Sequence, residues 1–142
     1  MEGLHQAVAT RLAERCSALL QVDAAQDARR IEELPIGPAA VAVVVPLVET
    51  ADPPDEAGFK VSQRERHRFG VAIALTQPSG FEVYDPARTQ VKAALRGWLP
   101  AGADTPVTYV GSRTLEFSTE KGRWLSMFEF SLTVRETYEA QP

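Results

Sequence analysis

Apolar residues recur at helical spacing in two parts of the chain. Over residues 3–20 they fall every three or four positions, with charged residues between them, which predicts an amphipathic helix. Further along, apolar residues at i, i+3, i+4 and i+7 predict a second stripe, formed by Val91, Ala94, Leu95 and Trp98. Trp98 is the largest of these side chains, so we expect it to lie where this helix meets a sheet.

The ends of this second helix have signals of their own. Asp85-Pro86 predicts the start, because an aspartate accepts hydrogen bonds from the free N–H groups of a helix N-terminus and proline suits the first helical position. Gly97 and Pro100 predict the end.

The segment between residues 20 and 35 predicts two short elements. Residues 20–22 form a candidate edge strand. A helix through residues 28–34 is expected, with Asp23 or Asp27 as its cap. It should stop before Pro35, because the residue that precedes a proline disfavours the helical conformation.

Four longer segments have the composition of β-strands. Residues 39–48 are almost all apolar, which predicts a strand covered on both faces, with Pro46 at a bulge or edge position. Residues 61–75 begin polar and then alternate bulky with small side chains. We expect one of the two helices to pack on the small face, where it can approach closely. The remaining two candidate strands are residues 107–117 and 124–137, and a turn joins them.

This order of elements predicts an α+β domain. We expect a mixed or antiparallel sheet of about four strands with helices packed on one face. The core would be strand-strand-helix-strand-strand, preceded by the N-terminal helices. The candidate core residues are Phe69, Val71, Ile73, Leu95, Trp98, Phe117, Trp124, Phe128 and Phe130.

A long polar stretch separates the two most apolar strands. Residues 49–60 are expected to form an acidic loop, and the first half of the following strand is charged. Because a hairpin needs far fewer residues than this, residues 49–68 are predicted to protrude from the core. Residues 138–142 are predicted to be a frayed tail.

Composition narrows the possible classes of protein. The 142 residues fit one domain, and a formal charge of −4 argues weakly against a surface built to bind nucleic acid. The single cysteine, Cys16, allows no intramolecular disulfide. Neither a signal peptide nor a membrane-spanning segment is recognisable. We therefore expect a soluble protein made in a reducing cytoplasm.

Candidate chemistry is sparse. His5 and His67 have no metal-binding spacing, and His67 lies in a charged segment that is expected to face solvent. Cys16 lies on an apolar helix stripe and is interpreted as a small core residue. No phosphate-binding glycine motif is present. We therefore predict no catalytic residues, no cofactor, no metal site and no enzymatic activity.

Charged side chains within strands are candidates for contacts with other proteins. They are Arg64, Arg66, Arg68, Arg113 and Arg135. Such residues can pair across subunit boundaries and set the register of an interface. The alternative for each of them is an ordinary solvent-facing charge.

Several motifs together resemble the phage tail terminator family, over residues 40–135. The most specific is GW-x-P-x-GAD-x-P followed by V-G-x-R-x-L-x-F, over residues 97–117. AVAVVVPL, VSQRERHRFGVAIAL and WLSMFEFSLTVRE resemble the other strands of the family, in the family's order. The RERHR segment is more basic than this family pattern.

The resemblance implies a structural protein of the virion, located in the tail or neck and assembled in the host cytoplasm. Its copies would form a ring, usually a hexamer, that caps the head-proximal end of the tail tube and contacts the head-side connector. DNA would pass through the lumen without specific binding, and no membrane is involved. In such a ring the five arginines would suit the subunit boundary or the tube. Acidic residues would suit the lumen, namely Asp52, Asp55 and Glu56.

Two other hypotheses remain at this point. The chain could be a different neck or head–tail joining protein, which the end of the particle that it occupies would decide. It could also be a small-ligand-binding α+β domain, which a deep apolar pocket with converging polar groups would favour.

Overall fold

A computed structural model of the chain describes residues 3–25, 37–76, 80–118 and 122–142. Its elements are α1 (Leu4–Arg15), β1 (Leu19–Ala24), β2 (Ala40–Ala51), β3 (Asp55–Ala57), β4 (Lys60–Thr76), α2 (Gly80–Leu95), β5 (Thr108–Ser118) and β6 (Arg123–Glu139). The helix predicted through residues 28–34 and its candidate cap Asp27 lie outside these ranges. Within them, no helix is long and apolar enough to cross a membrane.

The strands form one six-stranded sheet in the order β1-β2-β4-β6-β5, with β3 paired to the outer part of β4. β1 runs parallel to β2, and the other pairs are antiparallel. The α+β prediction is therefore confirmed, with six strands in the described ranges in place of about four. Residues 20–22, predicted as a short edge strand, lie within β1, and β3 lies in the segment that was predicted to be a loop.

Both helices pack on the same face of the sheet. Val8 and Leu12 of α1 and Val91 of α2 are fully buried in the same core cluster as Val71 and Ile73 on the bulky side of β4. The two helices also contact each other, since Arg11 Nε donates to the carbonyl oxygen of Ala94 over 2.6 Å. We call this side of the sheet the helix face.

The prediction that α1 or α2 packs on the small side of β4 is wrong. That opposite face is buried too, and its core residues come from neighbouring strands: Val41, Val43, Val45, Ala72, Ala74, Leu125 and Met127. The side chain of Met127 occupies the space beside Gly70, where a Cβ atom would meet it. At Gly70 the missing Cβ thus makes room for a side chain of the neighbouring strand β6. The expectation that the apolar part of β2 is covered on both faces is confirmed.

The first helix ends earlier than predicted, at Arg15. Cys16 leaves the helical conformation, and Leu19 already belongs to β1, opposite Ala40. Continuing the helix to residue 20 would leave the N–H and C=O groups along this edge of β2 without partners, and pairing with β1 satisfies them.

The second helix spans Gly80–Leu95, so it begins and ends earlier than predicted. Pro86 lies inside this helix. An interior proline removes one backbone hydrogen bond, at a cost of about 3 kcal/mol or more. The preceding turn offsets this cost by packing on Trp124: the ring of Tyr84 stacks on it at 4.2 Å and that of Phe81 meets it edge-on at 5.3 Å between centroids. Asp85 is therefore not the N-cap.

Seven of the nine candidate core residues are buried: Phe69, Val71, Ile73, Leu95, Trp124, Phe128 and Phe130. Trp98 lies beyond the helix and is only partly buried at the margin of the core. Phe117 lies on the edge strand β5 and is 54% exposed, although its ring contacts Trp124 edge-on at 5.2 Å. Phe117 is thus wrongly predicted as core, because an edge strand has a neighbour on one side only.

The polar half of β4 continues beyond the helices as part of a three-stranded sheet. Glu49–Ala51 pair with Glu65–His67, β3 pairs with residues 60–62, and residues 60–68 pair with residues 131–139 of β6. We call residues 49–68 and 131–139 the extension. Residues 49–60 are therefore mostly strand, with a turn at Gly58-Phe59 where glycine adopts a positive φ of 65°.

The C-terminal residues are more ordered than predicted. Tyr138 and Glu139 belong to β6, and Glu139 lies opposite Lys60. Beyond the strand, the backbone N–H of Ala140 donates to the carbonyl oxygen of Phe59 over 2.6 Å. The prediction of a frayed tail over 138–142 is therefore wrong for its first residues, because this segment completes the ladder of the extension.

Candidate functional site

The strand β4 places its three clustered arginines on one side of the sheet. Side chains of a strand alternate between faces. Phe69 and Val71 pack with the helices, so the even-numbered Arg64, Arg66 and Arg68 point to the opposite face. The RERHR segment therefore separates its charges into an arginine side and a side that carries Glu65 and His67.

The sheet register brings the other two candidate arginines to that same face. Arg135 lies directly opposite Arg64. Arg113 lies opposite Met127, which in turn lies opposite Ala72 on the face away from the helices. The five arginines, far apart in sequence, thus share one face of the sheet, which we call the basic face: Arg64, Arg66, Arg68, Arg113 and Arg135.

Three members of the basic face have partners within the chain. Arg64 Nε lies 3.6 Å from a carboxylate oxygen of Asp104, and Arg113 lies 3.7 Å from Glu129. Arg135 donates to the hydroxyl of Ser62 over 3.0 Å. The two ion pairs contribute about 0–1 kcal/mol each, so they compensate charge locally and do little for stability, whereas the hydroxyl of Ser62 leaves the charge of Arg135 in place.

Arg66 and Arg68 differ from these three. Arg66 has Thr50 and Thr133 as its cross-strand neighbours, and Arg68 has Val48 and Ser131. Within the described ranges neither arginine forms an ion pair. This part of the basic face therefore presents two exposed cations whose cross-strand neighbours are uncharged.

The end of the extension is acidic. Asp52, Asp55 and Glu56 are all exposed. Asp55 lies opposite Ser62 and Glu56 opposite Val61, so the two carboxylates point to different faces of the hairpin. Next to them Phe59 is 83% exposed at the turn. We call residues 52–60 the tip.

His67 was predicted to face solvent, but its side chain is largely buried between two glutamates. Its Nε2 atom lies 3.2 Å from Oε1 of Glu49 and 3.3 Å from Oε1 of Glu65. The side chain of His67 is 16% exposed, whereas that of Glu49 is 60% exposed. Glu49 lies directly across from His67 on β2, and Glu65 precedes it by two on the same face of β4. The Glu65-x-His67 spacing on a strand was visible in the sequence, but the position of Glu49 depends on register.

We call Glu49, Glu65 and His67 the His67 group. This group could hold a cation, since its three donor atoms lie within 4.8 Å of one another. Without a cation, the Nε2 atom of His67 lies within 3.3 Å of a carboxylate oxygen of both Glu49 and Glu65. A cavity of about 350 Å³ adjoins the group, with His5 of α1 on its wall. Burial, and to a lesser extent repulsion from His67, lowers the pKa of His5.

Cys16 is a buried free cysteine that packs in the core beside α1. Burial raises the pKa of its thiol to about 11. Because the thiolate is the reactive form of cysteine, this residue is unsuited to nucleophilic chemistry, and its placement agrees with the interpretation as a small core residue.

The fold is found in a solved particle. The chain resembles a chain of a structure titled "Virion of native gene transfer agent (GTA) particle", with a TM-score of 0.60 and 18% identity, covering 94% of this chain and 95% of that one. At this identity the similarity concerns the fold alone. No functionally curated protein matches the sequence.

The sequence itself identifies the family. The family model described as "Phage tail terminator protein" matches residues 4–139, which is nearly the whole chain. The chain therefore belongs to the phage tail terminator family, as the motifs of residues 97–117 suggested, and is a structural protein of the phage tail.

Proposed function

We propose that copies of this chain form a ring, most simply a hexamer, at the head-proximal end of the phage tail tube. The ring ends polymerisation of the tube and provides the joint to the head-side connector. It is assembled in the host cytoplasm and remains in the virion as a non-enzymatic part of the tail or neck. Family membership over residues 4–139 is the observation that supports this proposal most strongly.

The shape of the chain supports the proposal further. A subunit of a closed ring needs two different surfaces that fit each other. This chain has a rigid core with helices on one face and an extension with its own charged surface. In the ring, the basic face meets a neighbouring subunit or the tube. The tip contacts a neighbour or lies in the lumen, where its carboxylates would keep passing DNA from binding.

Electron microscopy of intact particles tests this function. A gold label on a C-terminal tag should appear at the head-proximal end of the tail, with six copies per particle. Tails made without the chain should have uncontrolled length and should not join heads. Tails of normal length that fail only to attach to heads would indicate a head–tail joining protein instead.

A further inference from the structure

We propose that the tip of one copy docks on the basic face of a neighbouring copy, at Arg66 and Arg68. The proposal rests on the proposed function, because it specifies how subunits of the ring contact each other. It chooses between the positions left open above for the tip, a neighbouring subunit or the lumen, and names the surface that receives it.

The receiving surface is the part of the basic face for which the described residues supply no partner. Of the five arginines, Arg66 and Arg68 are the two without a hydrogen bond or ion pair among the described residues. Their cross-strand neighbours on this face are hydroxyl or small apolar side chains, so no carboxylate of the extension offsets the two charges. An exposed pair of guanidinium groups on a rigid strand is suited to bidentate contacts with carboxylates.

The tip has the complementary character. It has three carboxylates, on Asp52, Asp55 and Glu56, and one cation, on Lys60. Phe59 lies among them with 83% of its surface exposed. A large aromatic side chain surrounded by charges is typical of an interface anchor with a polar rim.

Within one copy the carboxylates of Asp55 and Glu56 lie far from Arg66 and Arg68, whereas Asp52 lies beside Arg64, whose carbonyl oxygen accepts from the Asp52 backbone N–H over 2.9 Å. Asp55 lies opposite Ser62, which is four residues from Arg66 along β4, a separation of about 13 Å at roughly 3.3 Å per strand residue. Pairing of β4 with β3 on one side and with β6 on the other holds this distance fixed. Asp55 and Glu56 are therefore the tip carboxylates that can contact Arg66 and Arg68 of another copy.

A contact between two different surfaces of identical chains is head-to-tail. Such contacts generate a closed ring when the rotation per subunit divides a full turn, and a filament otherwise. Each copy in a ring would use its tip once and its Arg66–Arg68 surface once, so no charged surface of either kind would remain unpaired.

Charge reversal tests the pairing. The variants are Arg66→Glu with Arg68→Glu, Asp55→Lys with Glu56→Lys, and the combination of all four substitutions. Arg15→Glu with Arg96→Glu is the matched control, since both arginines are exposed and the net charge changes by the same amount as in the first variant. The assembly of the full chain is measured by analytical ultracentrifugation, and circular dichroism verifies that each variant is folded.

Each reversal alone should raise the apparent dissociation constant of the oligomer on the order of tenfold or more, because like charges then meet at the contact. The variant with all four substitutions should restore assembly, and the control should behave as the wild type. The proposal is overturned if either reversal leaves assembly unchanged, if the variant with all four substitutions fails to restore it, or if the wild-type chain does not self-associate. None of these results decides the proposed function, which the position of the label on the tail and the tail length test separately.

Discussion

Arg64 and Arg135 lie directly opposite each other across β4 and β6, as a like-charge pair in the middle of the extension. Directly opposed like charges destabilise a strand pair. Asp104 lies 3.6 Å from Arg64, and Ser62 accepts a hydrogen bond from Arg135, which offsets part of the repulsion. The extension thus retains charge that its own fold does not require.

Replacing one member of this pair should stabilise the isolated chain. Arg135→Thr is expected to increase the free energy of unfolding by about 0.5 kcal/mol or less, since both side chains are solvent-exposed. Urea denaturation at low salt measures the gain, which should shrink at high salt because salt screens the repulsion. Arg135→Lys, which keeps the charge, is the control. A loss of stability in Arg135→Thr would show that the hydrogen bond to Ser62 outweighs the repulsion.

Trp98 is expected to contribute less than a fully buried tryptophan. It packs at the margin of the core with the guanidinium of Arg11 4.8 Å from its ring centroid, and its carbonyl oxygen accepts from Val107. Trp98→Ala should therefore cost about 2–3 kcal/mol, below the roughly 3–5 kcal/mol of a buried site. Chemical denaturation measures this, and a change below about 1 kcal/mol would contradict the packing role.

Shortening the tip separates folding from assembly. Deletion of residues 53–58 removes β3 and part of the turn, all of it exposed, and leaves the core strands intact. The variant should remain a folded monomer, because exposed hairpin ends tolerate change. It should fail to form rings and should give tails of uncontrolled length in micrographs. Tails of normal length capped by this variant would exclude a role for the tip.

His5 should make stability sensitive to mild acid. Its folded-state pKa is lowered by burial and by nearby His67, so below about pH 6.5 the unfolded chain binds a proton that the folded chain does not. Stability is therefore expected to fall as the pH drops from 7.5 to 5. Glu49 and His67 line the same cavity and are unchanged in the variant used for the comparison. His5→Gln should lose less stability over this range, as followed by thermal melts; an equal loss would show that His5 is not responsible.

Chelation should leave the protein unchanged. The His67 group offers three donors, and Glu49 is largely exposed, whereas structural zinc sites use four protein ligands. The melting temperature is therefore expected to be the same with and without a chelator. If the chelator lowers the melting temperature of the wild type but not of His67→Gln, the group holds a metal.

The sequence by itself determined the α+β class, most of the core and the family. These follow from short-range patterns: the valine-rich run of β2, the alternation after Phe69, and the motifs of residues 97–117. It placed α1 and α2 on the chain but not their ends, because pairing of β1 with β2 and packing on Trp124 override local helix signals. The sequence also indicated a polar extension, without showing that most of it is strand.

Tertiary structure alone decided which charges act together. Arg113 and Arg135 share a face with Arg66 only because bulges in β5 and the unbroken register of β4 with β6 fix their phase. The same register sets Glu49 beside His67 and holds Asp55 and Glu56 away from Arg66 and Arg68. A shift of one residue in any of these pairings would move each side chain to the other face of the sheet. The register of the strands is set by contacts between segments that are distant in sequence, so local residue spacing cannot encode it.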